Sequence, residues 1–252
     1  MKTIILAGGY GSRISEYTNK IPKPMIPIGD FPILYHIMNH YSKYDFNDFI
    51  IALGYKGDII KDYFLKFYTL KNDFTIDLAN GKTQFHKSEN LDWKVSLIDT
   101  GLNTMTGGRI KRLKEFTNNE TFFLTYGDGV SDVNIKELLN FHKSHGKLVT
   151  LTAVRPNARF GELNLLKNRV VEFEEKPQLE NGWINGGFFV IEPEALEYIE
   201  GDSTMFEREP LEKIAKEGEL MAYFHKGFWQ CMDTKRDHDY LEDLWKNDKA
   251  AW

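Results

Sequence analysis

Apolar positions along this chain recur in two rhythms. Short β-prone runs stand at residues 4–6, 48–53, 75–78, 95–99, 121–125 and 148–153. Between several of them apolar residues fall at helical spacing: Ile33, Ile37 and Tyr41 within 32–44, then Ile59, Tyr63 and Phe67 within 58–67, then the amphipathic stretch 134–145. A short run without polar interruption suits a strand buried on both faces, and strands alternating with helices imply βαβ crossovers. From about Arg155 the rhythm changes. Residues 160–165, 169–175 and 186–191 predict successive strands with short links, partly antiparallel. Helical segments follow at 193–198 and 209–217, then a strand at 220–225 and a closing helix at 237–245. The expected fold class is α/β, three layers around a mostly parallel central sheet. No repeat, low-complexity run or linker rich in Gly, Ser or Pro divides it, so one domain over 1–252 is expected.

Charge adds a local contrast. The chain carries 37 acidic and 32 basic residues, a net charge of −5, which argues against a general nucleic-acid binder. Residues 1–30 run the other way, with Lys2, Arg13, Lys20 and Lys23 against Glu16 and Asp30. No run approaches the roughly 20 apolar residues of a membrane span, and no basic region precedes an apolar leader, so a soluble, cytoplasmic protein is expected. A single cysteine, Cys231, excludes an internal disulfide and a cysteine-based zinc site. Its bland reading is a core residue rather than a nucleophile.

The candidate chemistry begins where the first strand ends. Leu6 and Ala7 lead into Gly8, Gly9, Gly11, Ser12 and Arg13, with Pro22-Lys23-Pro24-Met25 ten residues on. Glycines let backbone N–H groups converge on one anion, Arg13 can fork two phosphate oxygens, and the prolines restrain the chain on either side of Lys23. A glycine-rich turn is the bland alternative. Ile14 stands where a dinucleotide fingerprint needs its third glycine, and no Gly-Lys-Ser/Thr closes a P-loop.

Four further segments carry polar residues at suggestive places. Tyr126-Gly127-Asp128-Gly129 follows the strand at 121–125, where ligands of open α/β sheets bind, and its acid has room for a hydrated Mg²⁺. An Asp-Gly turn is the local alternative, and Asp132 reads as a cap for the helix near Asn134. Asp233, in Trp229-Gln230-Cys231-Met232-Asp233-Thr234, stands ahead of the last helix and reads equally as an N-cap. Glu174-Glu175-Lys176-Pro177 reads alone as a solvated loop, with Asn185-Gly186-Gly187 after it. Thr106-Gly107-Gly108-Arg109 offers a phosphate- or base-contacting turn at a helix start, or an ordinary start capped by Thr106.

Together, Gly-Gly-x-Gly-Ser-Arg and Pro-Lys-Pro-Met resemble the signature of the sugar-1-phosphate nucleotidylyltransferases. Thr106–Arg109, Thr-Tyr-Gly-Asp-Gly, Asn-Gly-Gly-Phe-Phe and Gly-Phe-Trp-Gln resemble, within that group, the glucose-1-phosphate cytidylyltransferases, a likeness running from Lys2 to Trp252. The resemblance implies a Rossmann-like nucleotidyltransferase fold, with 1–154 mainly binding nucleotide and 155–252 mainly binding sugar phosphate. It implies transfer of CMP from CTP to α-D-glucose 1-phosphate with Mg²⁺ as cofactor, in a homo-oligomer. Arg13, Lys23 and Asp128 would be catalytic. Leu6, Ala7, Gly8, Gly9, Gly11, Ser12, Thr106, Gly107, Arg109 and Gly127 would line the nucleotide site with them. Tyr126, Glu175, Lys176, Asn185 and Gly186 would hold the sugar phosphate, and Asp128 and Asp233 would share the metal. Ile21 departs from the family pattern, which has a lysine there. The same chemistry with UTP, dTTP or another acceptor is the nearest alternative. A metal-dependent glycosyltransferase lacks its Asp-x-Asp here, and a non-catalytic nucleotide-sugar binder is the most distant alternative.

Overall fold

The structure is a computed structural model that describes residues 1–86, 91–156, 162–166, 169–174 and 182–252. Seven strands form the central sheet: β1 (Lys2–Leu6), β2 (Asp48–Leu53), β3 (Lys94–Asp99), β4 (Phe122–Tyr126), β5 (Val149–Val154), β6 (Ile184–Ile191) and β7 (Leu220–Phe224). Their order is β3-β2-β1-β4-β6-β5-β7. β1 is third in this order and pairs in parallel with β2 and β4, with Ile4 opposite both Ile50 and Leu124. β6 alone runs against its neighbours, antiparallel to both β4 and β5.

The alternation of side chains along each strand divides the core in two. Ile5 of β1, Ile51 of β2 and Phe123 of β4 face one side, packed on helices α1 (Ile33–Ser42), α4 (Ile135–His145) and α6 (Lys235–Lys246) through Ile37, Leu138 and Leu241. Ile4, Ile50 and Leu124 face the other side, covered by α3 (Thr106–Arg112) and α5 (Glu209–Lys216) through Ile110 and Leu211. Helix α2 (Gly57–Lys71) connects β2 toward β3 and places Ile60 in the first core. The three-layer α/β expectation holds, including the change of direction after β5.

Several details differ from the sequence reading. The run predicted at 75–78 is Phe74–Asp77, paired with Lys82–Phe85 in a hairpin outside the main sheet. Helix α4 is capped by Asn134, whose side chain accepts from Glu137 N, and not by Asp132. Asp132 Oδ1 instead lies 2.8 Å from His225 Nε2. Helix α3 has Met105 at its N-cap with no side-chain cap, so Thr106 is not a capping residue. Glu162–Leu166 and Arg169–Glu174 pair antiparallel, as their successive β-prone runs suggested.

Candidate active site

A cavity of about 1410 Å³ opens where β1 and β4 end, and residues 6–13 form one side of it. Gly11 turns this loop at φ 63°, the left-handed region that favours glycine. A Cβ there would meet Thr18 Cγ2 at 2.8 Å and Lys23 Cβ at 3.1 Å, so the glycine also lets the loop close over the lysine. Lys23 begins a short 3₁₀ turn with Pro22 before it and Pro24 within it. Arg13 is mostly exposed at the rim.

Asp128 and Asp233 are 105 residues apart in sequence and adjacent in space. The link is a two-stranded ribbon in which Gly129–Ser131 pairs antiparallel with Trp229–Cys231, placing Cys231 opposite Gly129. Asp128 precedes one strand and Asp233 follows the other. Gly127 lets this corner approach β1: its N–H donates to Leu6 O at 3.0 Å, and a Cβ would lie 2.7 Å from that same oxygen. Asp233 is free for the site because Thr234 caps α6 in a capping box with Asp237.

The Lys23 ammonium joins the two acids. Its Nζ donates to Asp128 Oδ2 at 2.5 Å and to Asp233 Oδ1 at 2.6 Å. Arg13 Nη1 donates to the other oxygen of Asp233 at 3.1 Å. Burial works against charge on Lys23, but the two carboxylates outweigh it and hold the ammonium above the ordinary lysine value. Burial likewise raises the Asp233 carboxyl, yet Lys23 and Arg13 bring it below the usual carboxylate range. Both groups are therefore charged at neutral pH.

These residues pass a test of fit to a divalent cation. Two carboxylates already converge on one positive centre, and Mg²⁺ takes one or two acids together with waters and phosphate oxygens. Among the described residues no three His, Cys, Asp or Glu side chains gather as a metal cage. Cys231, on the ribbon between the acids, is pushed up to about 12 by burial and then by Asp233 and Asp128, which makes it a protonated thiol and a poor nucleophile.

Residues 106–109 make mainly structural contacts, and Thr106 and Arg109 also line the cavity. The Arg109 side chain is buried, and its Nη1 donates to Leu53 O at 2.9 Å, Thr100 Oγ1 at 2.8 Å and Gly101 O at 2.7 Å. Its Nη2 donates to Gly8 O at 3.1 Å. The guanidinium thus ties the ends of β2 and β3 to the first glycine of the loop, and a Cβ on Gly8 would lie 2.3 Å from Arg109 Nη1. Gly107 N and Gly108 N donate to Thr204 O at 3.0 and 3.3 Å. These two amides are already partnered, so they shape the wall rather than present free donors.

On the far side of Asp128, Tyr126 at the end of β4 meets Asn185 at the start of β6, whose Nδ2 donates to the phenol oxygen at 3.3 Å. Gly186 O accepts from Trp229 Nε1 at 2.7 Å. Leu6, Ala7, Gly9, Ser12, Tyr126, Asn185 and Thr106 all line the cavity. Glu175 and Lys176 lie outside the described residues. The sequence reading missed Glu207, which accepts from Tyr126 and Thr106 in this wall, and Tyr10, whose hydroxyl donates to Asn103 Oδ1 across the cavity at 3.1 Å.

The family model described as nucleotidyl transferase matches residues 2–243. The glucose-1-phosphate cytidylyltransferase of Salmonella typhimurium is 50% identical, over 100% of this chain and 98% of its own. A mannose-1-phosphate guanylyltransferase catalytic subunit beta of Xenopus tropicalis is 28% identical over 97% of this chain and 64% of its own. HddC from Yersinia pseudotuberculosis shares the fold, with a TM-score of 0.72 and 24% identity over 97% of this chain and 99% of that one. The chain belongs to the nucleotidyl transferase family, alongside the glucose-1-phosphate cytidylyltransferases it matches over its whole length.

Proposed function

We propose that this chain transfers CMP from CTP to α-D-glucose 1-phosphate, giving CDP-glucose and pyrophosphate. The likeness at 50% identity over the whole chain to a glucose-1-phosphate cytidylyltransferase carries the choice of substrates. The site supports the chemistry. An acceptor phosphate oxygen is already an anion, so its attack on the α-phosphorus of CTP needs no general base. What remains for the protein is alignment and neutralisation of charge. Lys23 lines the cavity between Asp128 and Asp233 and would contact the transferring phosphate. Arg13, at the rim beyond Asp233, would hold the departing pyrophosphate through its planar fork. Asp128 and Asp233 would hold Mg²⁺, which neutralises phosphate charge when bound. Glu175 and Lys176 would contribute to the acceptor phosphate and sugar, as the resemblance implies.

Pyrophosphate release across a grid of nucleoside triphosphates and sugar 1-phosphates tests the reading. The expected result is turnover confined to CTP with glucose 1-phosphate. Comparable rates with UTP, or with GTP and mannose 1-phosphate, would overturn the assignment. Asp128→Asn and Asp233→Asn are each expected to lose most turnover while keeping a native melting transition. An active Asp233→Asn enzyme at low Mg²⁺ would remove that residue from the metal site.

A further inference from the structure

The cavity wall beyond Asp128 is organised by a residue that the sequence reading did not single out. Glu207 stands in the segment between the 3₁₀ turn Pro193–Tyr198 and α5. Its Oε1 accepts from Tyr126 Oη at 2.8 Å and its Oε2 accepts from Thr106 Oγ1 at 2.5 Å. Thr106 Oγ1 in turn accepts from Phe206 N at 2.9 Å, which fixes the hydroxyl proton toward the carboxylate. On the other side, Asn185 Nδ2 donates to the Tyr126 oxygen, and Asn185 Oδ1 accepts from Gly187 N at 2.8 Å. Every proton in this chain therefore has a direction. It runs from Asn185 through Tyr126 to Glu207, and Thr106 meets it from the opposite end.

That polarity leaves a defined set of unfilled positions on the cavity wall. A carboxylate offers about four acceptor directions, and hydroxyls of Tyr126 and Thr106 fill two. Asn185 has a second N–H beyond the one given to Tyr126. Glu207, Asn185, Tyr126 and Trp229 all line the cavity, so acceptors and a donor stand beside apolar ring surface. A pyranose, with hydroxyls on its rim and C–H groups on its faces, is the chemistry this mixture matches. The sheet order places the array on the acceptor side. Proceeding from β1 to β4 to β6, the glycine loop comes first, Asp128 second and Asn185 third.

We infer that Glu207 is a specificity-determining residue for the acceptor: it takes a sugar hydroxyl on its open lone pairs and holds Tyr126 and Thr106 in place for the rest of the ring. This rests on the proposed transfer to a sugar 1-phosphate. Glu207→Gln keeps the size and one acceptor oxygen but puts an amide N–H against a hydroxyl that is itself donating. A buried mismatch of that kind costs a site much of its preference for a hydroxylated ligand.

Steady-state kinetics on wild type, Glu207→Gln, Tyr126→Phe and the double variant test it, with pyrophosphate release as the signal. The expected result is a rise in KM for glucose 1-phosphate of tenfold or more in Glu207→Gln, with KM for CTP within twofold of wild type. Tyr126→Phe is expected to give a smaller rise of the same kind, and the double variant less than the product of the two. Equal losses for both substrates, or an unchanged KM for the acceptor, would overturn the inference. If Glu207→Gln does not fold, Tyr126→Phe alone decides, because it removes one donor and keeps the ring. A wild-type protein with no turnover on CTP and glucose 1-phosphate would sink the proposed function instead, so the two failures are distinct.

Discussion

At the scale of single residues, the centre of the site is one ammonium between two acids. Lys23 lies 2.5 and 2.6 Å from Asp128 and Asp233, the two acids proposed to hold Mg²⁺. On that proposal metal and lysine compete for the same oxygens. Lys23→Met is expected to bind Mn²⁺ about tenfold more tightly than wild type when no nucleotide is present, since the acids then face the ion with only Arg13 to share them. The same variant is expected to turn over about 10²-fold more slowly, because a preorganised positive group is lost from the transferring phosphate. Calorimetric titration and steady-state kinetics read the two effects, and weaker Mn²⁺ binding in the variant would contradict the shared position. Single residues were unevenly legible. The glycines, Lys23 and Asp128 stood out through the conjunction of motifs and the family resemblance, since locally each also reads as an ordinary turn. Asp233 was balanced against a cap, and only Thr234 taking that place resolves it. Glu207 left no signal, since its partners Thr106 and Tyr126 lie 101 and 81 residues away.

At the scale of elements, glycines mark close contacts as often as anion sites. Gly108 at the start of α3 is such a case: a Cβ there would lie 2.5 Å from Asp202 Cα and 2.7 Å from Asp202 O, which are backbone atoms that cannot swing aside. Gly108→Ala is expected to lower stability by about 1–3 kcal/mol through overpacking, read as a shifted urea midpoint with an unchanged slope. Unchanged stability would mean that the 202–204 segment yields freely. The Thr-Gly-Gly-Arg run illustrates how far sequence reaches here. Its helix was legible from the amphipathic run that follows the glycines, and its place near the site from the family resemblance. Its use was not, because the partners Gly8, Leu53 and Thr204 come from three remote parts of the chain. The strands of the sheet were read within a residue or two of their bounds. The ribbon joining Gly129–Ser131 to Trp229–Cys231 was not read, since three-residue strands carry too little periodicity.

At the scale of the whole molecule, folding traps neutral imidazoles. Helix α1 buries His40, whose Nε2 is 2.8 Å from Val133 O, and burial pulls its pKa down to about 4 from an ordinary 6.5, with Lys43 acting in the same sense and Val133 and Asp132 against it. His36 is lowered too, mainly by burial, and its Nδ1 accepts from Trp252 Nε1 at 3.2 Å. A base with a depressed folded value binds fewer protons folded than unfolded, so stability falls as pH drops from 6.5 toward 4 and levels off below. For His40 the full effect is about 3 kcal/mol. Urea unfolding between pH 7 and 4.5 is expected to show this decline, and His40→Gln to show a shallower one. A wild-type stability independent of pH over that range would contradict it.

The reversed strand β6 has a consequence for how the cavity is walled. Because β6 runs against β4 and β5, its first residues, and not its last, reach the rim beside Tyr126. A parallel strand delivers its outgoing turn to the rim, and that turn must also launch the next helix. A reversed strand delivers an incoming segment instead, one that launches nothing and need only end in register with the sheet. The cavity is thus walled on one side by the outgoing end of β1 and on the other by the incoming end of β6, where Ile184 and Asn185 line it.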